Sequence, residues 1–213
     1  MSTCTKAPEP TAARRSARVL LLAAGLCGGC ANWTYDRVRL GQSLEGAERL
    51  MPPATSQRTA LGLYHLRADG LGRTDAVVLL ATEDRRVSAK LHAVRVERNY
   101  GVRTERAYLL RGELDPQLAE TQSTGPIDTL RMLARELTEY QGVKPALDAH
   151  AWVAAGLARL IQCWPRVEDV GVSAQRLTEL FERVPGGGSA TLAVDSSGTY
   201  RFEYRQGNTT GLP

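Results

Sequence analysis

The side chains best suited to chemistry in this chain are few: His65, His92, His150, Cys163 and a scatter of carboxylates. A thiolate attacking a carbonyl needs a base within hydrogen-bond reach, so Cys163 and His150 are the first pair to weigh. They are 13 residues apart on one apolar stretch. At about 100° per residue that separation is about 220° around a helix, which puts them on nearly opposite faces. A straight helix therefore denies them a dyad, and Cys163 beside Trp164 reads as a small buried apolar residue. A serine nucleophile at a strand-to-helix elbow needs Gly-x-Ser-x-Gly. The nearest string, Gly187-Gly188-Ser189-Ala190-Thr191, fails at its last position and reads as a flexible turn. Gly70-Leu71-Gly72 lacks the further glycine of a phosphate-cradling loop. No Cys/His spacing suits zinc. His65 and His92 fall on strand-like runs and read as surface residues. The sequence thus offers no catalytic residue set, no cofactor and no metal.

The elements that would position these groups read as α+β. Ser43 caps a short helix with Leu44, Ala47, Leu50 and Met51 on one face, and Pro52-Pro53 stops it. Strand-like runs follow over 61–67, 75–82, 86–97 and 106–114. In the third, Val87, Ala89, Leu91 and Ala93 alternate with Ser88, Lys90 and His92, the mark of a sheet with one wet face. The second, Ala76 to Ala81, is apolar throughout and reads as central. Gly70-Leu71-Gly72 and Glu83-Asp84-Arg85 suit turns, so these runs predict a four-stranded antiparallel meander. Residues 115–125 read as a loop. Three helices follow. Gly125-Pro126 opens the first, which buries Ile127, Leu130, Leu133, Ala134 and Leu137. Pro145 opens the second, apolar almost all round over 146–164 and so expected to have neighbours on several sides. Ser173 caps the third, with Leu177, Leu180, Phe181 and Val184 at helical spacing. A C-terminal hairpin joins 190–194 to 199–205 across Asp195-Ser196-Ser197-Gly198. It is expected either to return to the sheet or to lie on the helices. Tyr200, Phe202 and Tyr204 share one of its faces, a face expected to pack on the helices.

The N-terminus carries the most specific pattern. Arg14, Arg15 and Arg18 precede an eight-residue apolar run, 19–26, which is followed by Cys27-Gly28-Gly29-Cys30-Ala31. A basic stretch, a short apolar run and small residues make a secretory signal, and the run is far short of the roughly 20 residues that span a bilayer. Gly28-Gly29-Cys30 resembles the bacterial lipobox, with Cys27 where that family more often has leucine. The resemblance implies that residues 1–29 are a signal peptide and that Cys30 becomes the lipidated first residue of the mature chain. It also implies a membrane partner through the lipid anchor, with the outer membrane favoured by Ala31. The other reading is a soluble secreted protein.

Removal of 1–29 takes away Lys6, Arg14, Arg15 and Arg18 against Glu9, so the net charge falls from +4 to +1. No concentrated basic face remains, which argues against a nucleic-acid partner. Only Cys163 of the four cysteines remains unmodified, so the fold must stand without an internal disulfide.

A second resemblance lies in Val38-Arg39-Leu40-Gly41-Gln42-Ser43 with Ala47 and Leu50-Met51-Pro52-Pro53, then Val77 to Ala81 and Asp84-Arg85-Arg86-Val87. Residues 38–97 are similar to the opening of the SmpA/OmlA (BamE-like) envelope lipoproteins, with Pro52 in place of that family's second glycine. This implies a scaffold role in the envelope with no catalytic residues to carry over.

The expected organisation is a signal peptide over 1–29, a lipidated tether over 30–39, a helix with an antiparallel sheet over 40–114, and a helical region with its hairpin over 126–205. The last two are expected to form one compact unit, because neither has a large core alone. The expected function is a lipid-anchored envelope protein with a non-catalytic interaction or scaffold role and an envelope protein partner. The alternative is an envelope hydrolase assembled from distant residues such as Asp148 or His150. A scaffold should expose an apolar patch or an open strand edge near 61–67 or 199–205, whereas a hydrolase needs a cleft with converging titratable groups.

Overall fold

The computed structural model describes residues 35–51, 56–68, 72–119, 126–163, 188–210 and 212. The element order is β1 (Ser56–Arg58), β2 (Gly62–Ala68), β3 (Arg73–Ala81), β4 (Val87–Asn99), β5 (Thr104–Leu114), β6 (Gly188–Val194) and β7 (Tyr200–Gln206). A short helix α1 (Leu44–Glu48) precedes β1, and α2 (Pro126–Glu139) and α3 (Lys144–Cys163) lie between β5 and β6. The predicted cap holds: the Ser43 hydroxyl accepts from the Gly46 amide at 3.2 Å. The signal peptide and Cys30, and the helix expected around 173–184, fall outside the described residues.

The strands make one antiparallel sheet in the order β1-β2-β3-β4-β5-β7-β6. The sheet has seven strands rather than the four of the expected meander. Two come from the hairpin, which takes the first of its two expected places and returns to the sheet with β7 beside β5, Leu114 opposite Tyr200 and Tyr108 opposite Gln206. The polar triplet Ser56–Arg58 adds β1 on the far side of β2. Phe202 and Tyr204 pack on the helices as expected, and the Phe202 ring lies so close to β5 that a Cβ on Gly112 would be 2.3 Å from it.

Both faces of the sheet centre are covered. On one, α2 and α3 lay Leu130, Leu133, Leu137, Val153, Leu157 and Leu160 on Val78, Leu91, Leu110 and Phe202. α2 is the amphipathic helix its spacing predicts, with Arg131, Arg135 and Glu139 exposed opposite its buried stripe. α3 is less enclosed than expected: Leu147, Ala151, Ala155 and Ala158 are exposed along one side. Small alanines lower the cost of that exposure, which is why apolarity overstated its burial.

On the opposite face lies the segment 35–51. Tyr35, Val38, Leu44, Ala47 and Met51 cover Leu63, Val77, Leu79 and Val87. Main-chain bonds stitch it to the start of β4: Gly41 to Val87 and Leu44 to Arg85 at 2.8 Å, and Val87 back to Gln42 at 2.9 Å. The predicted wet face of β4 is therefore buried. Ser88, Lys90 and His92 are at most 6% exposed, and His65 on β2 is 1% exposed. The alternation holds from Ala89 to Ala93, but its polar side, Lys90 and His92, faces a cover and not water; a register shift opposite Leu80 and Ala81 turns Val87 onto that covered face as well.

Candidate functional site

Burying Lys90 and His92 requires partners for both, and the segment 35–38 supplies much of them. Lys90 Nζ donates to the carbonyls of Tyr35 at 3.3 Å and Val38 at 3.0 Å, and pairs with Glu113 at 3.2 Å. The Tyr35 ring is sandwiched by charge, with Lys90 Nζ 4.6 Å and the Arg111 guanidinium 4.3 Å from its centroid. Arg111 also reaches Asp36 at 3.2 Å. Deeper in, Arg73 makes two bonds to Asp75, at 2.7 and 2.9 Å, and Asp75 faces His92 Nε2 at 3.1 Å.

The cluster balances. Arg73, Lys90 and Arg111 meet Asp36, Asp75 and Glu113, with His92 among them. Burial pushes the His92 pKa down, against the pull of Asp75. Arg111 Nε donates to His92 Nδ1 at 3.3 Å, which assigns the proton to Nε2 and aims it at Asp75. An Asp–His pair of this kind could serve as a general base only if its second nitrogen faced a substrate. Here that nitrogen is already occupied by Arg111, and the ring is 0% exposed. The group is a clamp holding 35–38 on the sheet.

His150, the base named for a hydrolase, is also buried. It sits edge-on to Tyr140, with centroids 4.6 Å apart, and near Tyr64 at 6.3 Å. Its Nδ1 has no hydrogen-bond partner, and burial pushes its pKa down to about 4. Among the described residues no carboxylate pairs with it, and Asp148, two residues away, is exposed. Ser189 lies on β6, and Cys163 ends α3. Ser189 makes no hydrogen bond to His150 among the described residues. Among the described residues no three His, Cys, Asp or Glu side chains converge in a way that could hold a metal.

The buried neutral histidine has a pH signature. Unfolded, its pKa is near 6.5; folded, it stays unprotonated down to about 4. Between those values the unfolded chain takes up the proton and the folded chain does not. Stability therefore falls as pH drops through that window, by about 3 kcal/mol in total. A His150→Leu variant should lose that part of the slope in urea melts at pH 7, 6, 5 and 4. An unchanged slope would show that the imidazole protonates without cost.

The strand edges are not where the sequence placed them. β2 and β7, which take up most of 61–67 and 199–205, are interior strands covered by β1 and β6. β1 is three residues long, and Arg58 at its end pairs with Glu48 of α1. β6 is seven residues long and carries no charge and no proline: Gly-Ser-Ala-Thr-Leu-Ala-Val. Its outer side pairs with no other strand among the described residues, and Val194 is 51% exposed.

Two concavities lie among the described residues. One, of about 460 Å³, lies between α2 and the β3–β4 end, with Leu80, Ala89 and Leu133 in its wall and Glu83, Glu136 and Glu139 around it. Burial pushes the Glu136 pKa up. The other, of about 650 Å³, lies between α3 and the end of β4, β5 and β7. Sequence reasoning missed this second cleft, whose residues come from four elements and share no local spacing. No protein-family model, curated protein or solved structure matches the chain.

Proposed function

We propose that this chain is a lipid-anchored cell-envelope protein with a non-catalytic interaction role, engaging an envelope protein partner by strand addition to β6. The observation that carries the reading is the uncharged, proline-free outer edge of β6, beside a β1 edge that is short and held to α1 through Arg58. Sheet proteins normally blunt an exposed edge with charge, proline or shortness. β6 has none of these, and main-chain hydrogen bonds to an added strand would supply affinity. The hydrolase reading has less support, because the clamp leaves His92 no free nitrogen and no carboxylate among the described residues pairs with His150.

The lipobox-like Gly28-Gly29-Cys30 supports the anchor. The clamp at Tyr35 follows Cys30 by five positions, so a lipid on Cys30 would hold the sheet against the membrane surface. Confinement to that layer raises the effective concentration of any partner there, so a weak strand addition would suffice.

Labelled palmitate should enter the full chain and not a Cys30→Ser variant. Equal labelling of both would sink the anchor. From detergent-solubilised envelopes, the full chain should retain a stoichiometric partner that Thr191→Lys loses. Failure to retain one, together with turnover of a generic ester or glycan that is lost in His150→Ala, would favour the hydrolase.

A further inference from the structure

We propose that the cleft of about 650 Å³ between α3 and the end of β4, β5 and β7 binds an oxyanionic ligand, a carboxylate or a phosphate ester, on the guanidinium groups of Arg95 and Arg159. The inference is independent of the anchor and of the β6 edge.

The cleft is built by register. Arg95 lies directly opposite Tyr108, and Tyr108 directly opposite Gln206, so one row across three strands points toward the helices. α3 crosses that row closely. The Tyr108 hydroxyl donates to the Trp152 carbonyl at 2.8 Å, and a Cβ on Gly156 would stand 2.4 Å from that hydroxyl. Only glycine fits there without displacing the tyrosine, although glycine inside a helix costs about 1 kcal/mol against alanine.

The two arginines are placed and left unneutralised. The Arg95 guanidinium stacks on Trp152 at 3.9 Å from the ring centroid. Arg159 donates to Gln206 Oε1 at 2.9 Å and lies 5.7 Å from the Tyr108 ring centroid. Several other arginines hold carboxylates, among them Arg73, Arg111, Arg131, Arg135 and Arg205, each within 3.2 Å. Arg95 and Arg159 have no carboxylate partner among the described residues. Among the described residues the one carboxylate lining the cleft, Glu97, is 3.5 Å from Arg106.

Stacking on an aromatic face fixes a guanidinium while leaving its in-plane N–H edge open, the arrangement suited to a two-oxygen acceptor. Two like charges sharing a cleft repel, and an anion between them removes that cost. The volume is in the range of small-molecule sites and exceeds what a bare ion fills, so the oxyanion is one end of a larger ligand. Trp152, Tyr108 and Ala155 offer the apolar wall for the rest.

The test is isothermal titration of the full chain in a non-ionic detergent with succinate and, separately, with glycerol 3-phosphate. At least one should bind saturably, more weakly as NaCl rises. Arg95→Gln and Arg159→Gln should each weaken binding tenfold or more, and Arg201→Gln, on the other face of the sheet, should not change it. Arg95→Lys keeps the charge without the planar fork and should lose most of the affinity, which also decides the matter if Arg95→Gln unfolds. Succinate alone binding assigns a carboxylate, and glycerol 3-phosphate alone assigns a phosphate ester. Saturable binding of neither, or equal losses in Arg95→Gln and Arg201→Gln, overturns the proposal.

Discussion

Replacing Asp75 by alanine should lower the stability of the folded chain by about 3 kcal/mol in urea unfolding, as expected when one member of a buried ion pair is removed. The Asp75 side chain is 8% exposed and accepts from both Arg73 and His92. Its loss takes a carboxylate from Arg73 and the acceptor from the His92 N–H, and it unbalances the cluster beneath Tyr35. Arg73 keeps 25% of its side chain in water, which holds the expected cost toward the lower end of the usual range. Asp75→Asn keeps an acceptor for one neighbour and should fall between.

The same carboxylate sets an acid limit. Burial pushes its pKa up, but hydrogen bonds from Arg73 and His92 outweigh burial and hold it down at about 2. A carboxylate with a depressed folded pKa contributes fully above the unfolded value of about 3.9 and loses that contribution as pH falls through the folded one. The wild-type chain should therefore lose stability steeply between pH 4 and 2, and Asp75→Ala should lack that step. A destabilisation below about 1 kcal/mol at pH 7, with the acid step intact, would mean that the clamp contributes little.

Leu157→Ala should cost a similar amount, about 3 kcal/mol, by a different route. Leu157 is 0% exposed on the buried stripe of α3 with Val153 and Leu160. The cost of such a truncation depends on how far the surroundings collapse into the space. Here they cannot collapse far. Much of the rest of the buried α3 surface is Ala146, Ala149, Ala154 and Gly156, too short to reach in, and the opposing wall is a hydrogen-bonded sheet. Ala158→Lys, one position along but exposed, should change stability by less than about 0.5 kcal/mol. Equal effects from the two variants would mean that α3 does not pack as described.

How much of this was legible beforehand depended on whether the signal was local. Strands β2 to β5 were readable because alternation and turn residues lie in consecutive stretches. The Asp195–Gly198 turn likewise announced β6 and β7. β1 was not readable: Ser56, Gln57 and Arg58 have no apolar pattern, and they become a strand only because β2 offers an edge. The misplaced histidines have one cause. Alternation reports which side of a strand is polar, and polarity was equated with solvent. His92 and Lys90 show the other possibility, a polar side neutralised by Asp75, Glu113 and main-chain carbonyls brought from far away in sequence. The cleft of Arg95 and Arg159 was invisible for the same reason, since cross-strand register is what assembles it.

The position of β7 between β5 and β6 also gives the molecule a clock. Strands β1 to β5 pair with neighbours in order of synthesis, through short connections that close quickly. The next pairing joins Leu114 to Tyr200, and it must wait for both helices and the last hairpin to emerge. Until then β5 is an exposed edge, and the apolar face of the meander has only an incomplete cover. A chain interrupted between residues 114 and 200 has already made most of its sheet and is still a template for aggregation. For a protein that leaves the ribosome N-terminus first, the most hazardous interval of its existence is set by one strand's place in the order.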